Sequence, residues 1–252
     1  MLRSVKELEG YAIEAKDGRI GHVFDLYFDD QYWVTRYLVV ETGGWLERDR
    51  VLISPLVLEK PNWETRTLTV DLTRKQVEES PSIDMARPVS RQQEAELHSY
   101  YGWRPYWRSS IPAVGNQAVR LGKLIGEVEE EMAEEASEQG ENPHLRGTRE
   151  VIGYHIRARD GEAGHVADLI VNDSSWVIHY LVIDTGNLWT GKKVLIAPVW
   201  VERVDWLQRM MRVDLLADTI RKSPEYDPSA PVNREYEARL YDYYGRPRYW
   251  DE

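Results

Sequence analysis

A chain of 252 residues with no cysteine and a formal charge of −11 excludes disulfides, thiolate metal sites and cysteine nucleophiles, and meets nucleic acid with net repulsion. A hydrophobic share of 42% and a charged share of 30% are globular values, and no run approaches the ~20 apolar residues that span a bilayer. The polar start, Met1-Leu-Arg-Ser-Val-Lys-Glu-Leu8, carries no signal-peptide pattern, and the expected location is cytoplasmic.

The first elements read as extended. Residues 9–15 form a short run, and Asp17-Gly18 marks a hairpin because glycine reaches positive φ without steric cost. Residues 21–28 supply the second strand, with Val23, Leu26 and Phe28 as core candidates. Asp29-Asp30-Gln31 turns into a long run, Trp33 to Thr42. Its apolar residues Val34, Tyr37 and Val39 cannot share one face, which predicts a central or twisted strand. Gly43-Gly44 turns the chain, Arg50 to Ile53 is a short strand, and Pro55 marks an edge or exit. Leu56 to Lys60 and Thr67 to Leu72 add two strands around Pro61-Asn62. Thr73-Arg-Lys-Gln76 has capping-box spacing for a short helix, and Ser90 caps a second one that Gly102 ends.

The whole series then repeats. Gly10-Tyr11 recurs as Gly153-Tyr154, Gly21-His22-Val23 as Gly164-His165-Val166, and Tyr37-Leu38-Val39 as Tyr180-Leu181-Val182. Val51-Leu52-Ile53 recurs as Val194-Leu195-Ile196, and Tyr100-Tyr101-Gly102 as Tyr243-Tyr244-Gly245. The register is constant and ungapped from Leu2 to Trp107, with roughly 45 of about 105 aligned positions identical. The chain therefore divides into copy 1 (residues 1–107), a linker (108–143) and copy 2 (144–252). The linker is acidic, with helix formers at Gly126 to Glu138; it serves as a solvated spacer or as a docking tail for a basic partner. Short strands at regular spacing predict a mainly β protein of two small antiparallel barrels, each with a short C-terminal helical extension and an aromatic tail.

The series Leu-Glu-Gly-Tyr-x-Ile-x-Ala-x-Asp-Gly-x-x-Gly-His-Val-x-Asp-Leu, then Trp-x-x-Arg-Tyr-Leu-Val-Val-x-Thr-Gly, then Val-Leu-Ile-Ser-Pro resembles the PRC-barrel domain. That family includes the cytoplasmic domain of the photosynthetic reaction-centre H subunit and the C-terminal domain of a ribosome maturation factor. The resemblance covers residues ~1–80 and ~144–223. It implies a small β-barrel used for protein contacts, and it brings no catalytic residues with it. The chain departs from the H subunit by lacking a membrane anchor and from the maturation factor by lacking an RNA-associated partner domain.

Sites of other kinds find little footing. His22 and His165 alone among six histidines recur in register, each three residues before Asp25 or Asp168, on opposite faces of a strand. Asp71 and Asp214 end a strand, where they cap the next helix or pair with a repeated arginine such as Arg91 or Arg234. No nucleophile elbow, phosphate loop or dinucleotide fingerprint is present. No catalytic, metal or cofactor site is expected.

The tails are the candidate partner-binding residues: Tyr100, Tyr101, Trp103, Tyr106 and Trp107, with Tyr243, Tyr244, Tyr249 and Trp250. Trp, Tyr and Arg dominate binding hot spots. Three arrangements suit them: folding back over their own barrel, exposure as a strip, or covering the opposite copy in an internal pseudo-dimer. The expected function is a non-enzymatic scaffold for a protein partner. Peripheral attachment to a membrane complex on its cytoplasmic face is the alternative, and a small-ligand binder or enzyme a third.

Overall fold

The computed structural model describes residues 1–44, 46, 49–83, 88–108, 144–186 and 192–251, so the acidic run expected to be helical lies outside the described residues. The protein is mainly β, with 38% strand and 24% helix. It forms two compact units, residues 8–147 and residues 1–7 together with 148–252.

From the N-terminus run β1 (Leu2–Ser4) and α1 (Val5–Leu8), then β2 (Ala12–Ala15), β3 (Gly18–Asp29), β4 (Val34–Glu41), β5 (Arg50–Ile53) and β6 (Thr67–Thr69). Helices α2 (Arg74–Glu78) and α3 (Arg91–Tyr101) follow. Copy 2 repeats the series as β7 (Leu145–Gly147), α4 (Thr148–Val151), β8 (His155–Ala158), β9 (Gly161–Asn172), β10 (Ile178–Asp184) and β11 (Lys193–Ile196). It ends with β12 (Val201–Asp205), β13 (Met210–Val213), α5 (Ala217–Lys222) and α6 (Arg234–Tyr244).

One sheet has the order β5-β4-β3-β2-β6, the other β11-β10-β9-β8-β13-β12. Neither closes into a barrel, and neither is purely antiparallel, because β2–β6 and β8–β13 pair in parallel. This corrects the expected antiparallel barrels. Pro55 and Pro198 each open a 3-10 turn after β5 or β11. A proline cannot donate to a ladder, so the chain leaves the sheet there and re-enters beside the opposite edge strand, running the other way from a hairpin.

The expected strand pair around Pro61 is complete only in copy 2. There Val204 of β12 faces Met211 of β13. In copy 1 proline stands at the position of Val204, and only the bridges Leu58–Val70 and Asn62–Thr67 survive. The long central strand is as expected: every residue of β4 from Val34 to Val40 is buried. The strand, flanked by β3 and β5, has both faces covered, and Thr35 and Arg36 are buried along with its apolar residues, Arg36 paired with Asp29.

The helix starts follow the sequence. Thr73 accepts from the Gln76 amide and the Gln76 side chain returns a bond to Thr73, and Ser90 and Gln93 do the same for α3. Asp17, the hairpin residue, also accepts from the Arg74 amide at 2.7 Å. Asp160 does this for Ala217, at 2.7 Å, where Leu216 offers no capping side chain. Thr73→Ala should therefore cost about 1 kcal/mol, read as a lower denaturant midpoint with unchanged m-value.

The β1 and β7 strands pair outside the copies that encode them. β1, of copy 1, lies antiparallel on β9, of copy 2; β7, of copy 2, lies antiparallel on β3, of copy 1. Leu145 on β7 joins the buried cluster of Tyr37, Val39, Leu52, Val89 and Leu97. The first strand of each copy thus completes the other copy's sheet.

Candidate functional site

The aromatic tails are organised by one residue that the sequence did not single out. Glu94, on α3, is 0% exposed, and Glu237, its equivalent on α6, is 3% exposed. The Glu94 Oε1 atom accepts from the Tyr37 hydroxyl of β4 at 3.0 Å and from the Tyr106 hydroxyl of the tail at 2.6 Å. Its Oε2 accepts from Arg91 at 3.1 Å. Copy 2 builds the same contacts: Tyr180 and Tyr249 donate to Glu237 Oε1, both at 2.8 Å, and Arg234 pairs with Oε2 at 3.1 Å. One carboxylate ties together sheet, helix and tail. Its acceptor capacity matches two hydroxyls and a guanidinium, which is how a buried charge is made tolerable.

The arginine also stacks. Arg91 lies 4.5 Å from the Trp107 ring centre and Arg234 lies 4.2 Å from that of Trp250. These distances suit cation–π attraction. In copy 1, Arg36 adds a second layer: it stacks on Tyr106 at 4.0 Å and pairs with buried Asp29 at 3.3 Å. Copy 2 has Asn172 and His179 at those positions, and His179 meets Tyr249 edge-on at 5.2 Å. A neutral imidazole replaces a buried ion pair.

The expected binding residues fall into two groups. Tyr244 is buried, and Tyr101, Trp103, Tyr106, Trp107, Tyr249 and Trp250 are half-buried. Tyr100 and Tyr243 are 40% and 39% exposed, and their hydroxyls donate to the carbonyls of Gln76 and Thr219. The contacts described place each tail on the helix and sheet of its own copy, the first of the three arrangements. The aromatic mass is redistributed between copies. Trp103 stacks on Tyr101 at 4.3 Å. Arg246 stands at its position in copy 2, where Trp200, replacing Val57, packs instead against Tyr244 at 4.9 Å and Tyr241 at 5.2 Å.

Burial dominates the titration of the network. It pushes the Tyr37 and Tyr106 phenols well above their ordinary range, and the neighbouring Glu94 carboxylate adds to this. It pushes His98 and His179 down from 6.5 to about 4. His98 bonds to the Tyr37 hydroxyl through Nε2 at 2.8 Å. The unfolded chain binds protons near pH 6.5 that the folded chain takes up only near pH 4. The stability these histidines contribute is complete above about pH 6.5 and is lost as pH falls toward 4. Thermal midpoints should decline over that window, and less steeply in His98→Tyr, which installs copy 2's Tyr241. An unchanged slope would remove His98 as a cause.

The other candidates take ordinary places. His22 bonds Glu41 at 2.9 Å on the surface. Of the two roles expected for Asp71 and Asp214, capping falls to neither and pairing is with Lys16 and Arg159, because Arg91 and Arg234 turn inward to the buried glutamates. Among the described residues no group of three or more His, Asp or Glu side chains could hold a metal ion. No helix of the described residues is long and apolar enough to cross a membrane.

Glu94 and Glu237 had a detectable signal. They are identical between copies and lie three residues after identical arginines, on helices that also keep Ala95, Leu97, Tyr100 and Tyr101. A repeated carboxylate on the inner face of a helix needs buried donors. No protein-family model matches this chain, and no curated protein is significantly similar to it.

Proposed function

We propose that the protein is a non-enzymatic scaffold of tandem PRC-like modules that engages a protein partner through the outer faces of its tails. The observation that carries this reading is the paired latch at Glu94 and Glu237. It consumes the polar inner atoms of each tail in structure and leaves the rims of Tyr100, Trp107, Tyr243 and Trp250 at the surface, with Trp107 and Trp250 stacked on Arg91 and Arg234. Preorganised aromatics lose little entropy on binding. A pull-down comparing the full chain with Trp107→Ala/Trp250→Ala and with a distant control, Lys75→Ala, tests it. The partner should be lost from the tail variant and retained by the control. Equal recovery from both would refute the role of the tails.

One observation favours attachment at a membrane surface as a second reading. The turn between β12 and β13 projects Leu207, 98% exposed, beside half-buried Trp206 and near exposed Arg203, Arg209 and Arg212. Copy 1 has glutamate at the equivalent position, Glu64. Leu207→Asp should then abolish co-sedimentation with vesicles containing phosphatidylserine. An absence of sedimentation by the wild type removes this reading.

A further inference from the structure

Each first strand lies on the opposite copy's sheet, and the residues that face each other there differ between the two seats. Both donor strands carry the same Leu-Arg pair, Leu2-Arg3 and Leu145-Arg146, and both acceptor turns carry an aspartate that receives it. Asp173 pairs with Arg3 at 3.4 Å, and its amide donates to the Met1 carbonyl at 2.9 Å. Asp30 lies 3.8 Å from Arg146 and bonds His144 at 2.8 Å, and its amide donates to the His144 carbonyl at 2.8 Å. The Leu-Arg pair and the amide–carbonyl bonds do not distinguish one donor from the other, although His144 reaches Asp30 through its ring where the Met1 terminal ammonium pairs with Asp173.

The third donor position does. On β9, Ser4 faces Ile170 and its hydroxyl donates to Asp168. The same aspartate accepts from the Leu169 amide at 2.8 Å and the Lys6 amide at 3.2 Å. On β3, Gly147 faces Tyr27. A Cβ on Gly147 would stand 2.6 Å from Asp25 Oδ2 and 3.2 Å from the Tyr27 ring. The aspartate is common to both seats, as Asp25 and Asp168, and the tyrosine ring stands where β9 has Ile170. The copy 1 strand, carrying Ser4, would crowd the Tyr27 ring on its own copy's β3; the copy 2 strand, carrying Gly147, would leave Asp168 without its hydroxyl donor on β9.

We propose that each seat also accepts the matching strand from a second copy of this chain, so that two molecules join by trading β1 and β7, with Ser4 and Gly147 directing each strand to the opposite copy's sheet. An exchange between molecules keeps every contact described above, and only connectivity and association entropy change. The tethered strand holds an effective concentration of the order of mM for short connections, so the linked form is to be sought after refolding from concentrated solution. This inference does not depend on the scaffold reading.

The cysteine-free chain makes the test direct. Arg3 and Val171 are facing partners in the β1–β9 register, and facing strand residues lie within disulfide reach. Full-length Arg3→Cys/Val171→Cys, refolded dilute, should close an internal disulfide within a monomer, which shows that the pair can bond. Full-length chains carrying Arg3→Cys alone and Val171→Cys alone, refolded together at high concentration, should yield a disulfide-linked heterodimer whose fraction rises with concentration. Monomers alone, under conditions where the double variant closes, would overturn exchange between molecules. Gly147→Ser should accelerate amide exchange at residues 27–29 while leaving 170–172 protected. Equal protection at both seats would overturn the selectivity.

Discussion

Gly164→Ala should cost at least about 3 kcal/mol, enough to leave unit 1–7/148–252 substantially unfolded at moderate temperature. The added Cβ would stand 2.1 Å from the Asp184 carbonyl oxygen and 3.0 Å from its carbon. Those atoms are backbone of β10, paired with β9 through His165–Asp184, and cannot move without breaking the ladder. Gly164 also sits at φ +137°, where L side chains are strained. Gly21 repeats the close approach, since a Cβ there would stand 1.9 Å from the Glu41 carbonyl oxygen, but at an ordinary φ. Gly21→Ala should accordingly be slightly less damaging than Gly164→Ala. Circular dichroism melts of the two variants against wild type check both the size and the order. A loss below about 1 kcal/mol in either would show that the strands can separate there.

Glu94→Ala should destabilise unit 8–147 by about 3 kcal/mol. It strips a shared acceptor from the Tyr37 and Tyr106 hydroxyls and leaves Arg91 beside them without its carboxylate partner. Glu94→Gln should cost less, because an amide oxygen at Oε1 still serves both tyrosines, while its NH2 group turns toward Arg91 in place of Oε2. Glu237→Ala and Glu237→Gln should behave alike in the other unit, since the two tyrosines and the arginine divide between the same two oxygens there. The tail reports the effect separately. Release of Trp107 from Arg91 and of Trp250 from Arg234 should shift tryptophan fluorescence to the red before global unfolding. Stability unchanged by Glu94→Ala would mean that water replaces the carboxylate at no cost.

The repeat, the turn residues and the helix caps are legible in the chain because each depends on neighbours in sequence. Thr73, Ser90 and Gly102 act within a few residues of themselves and stand where expected, whereas Asp17 turns its hairpin and also reaches the Arg74 amide, 57 residues away. The tails stand out in the sequence, but their attachment does not. That depends on Glu94 meeting Tyr37, 57 residues away. The barrel expectation failed for a related reason: strand count and spacing do not say which edges pair. Pro55 and Pro198 mark the exits from β5 and β11, but only the sheet shows that the chain returns in parallel beside β2 and β8.

Duplication, mainly β character and the absence of thiol chemistry are properties of residue order and composition, and the amino-acid chain determined them unaided. The destination of each first strand was a tertiary decision. Leu2-Arg3 and Leu145-Arg146 are identical, and a β edge reads the same backbone groups in either donor. The residues that differ at the two edges, Ser4 facing Ile170 and Gly147 facing Tyr27, meet only once both sheets exist.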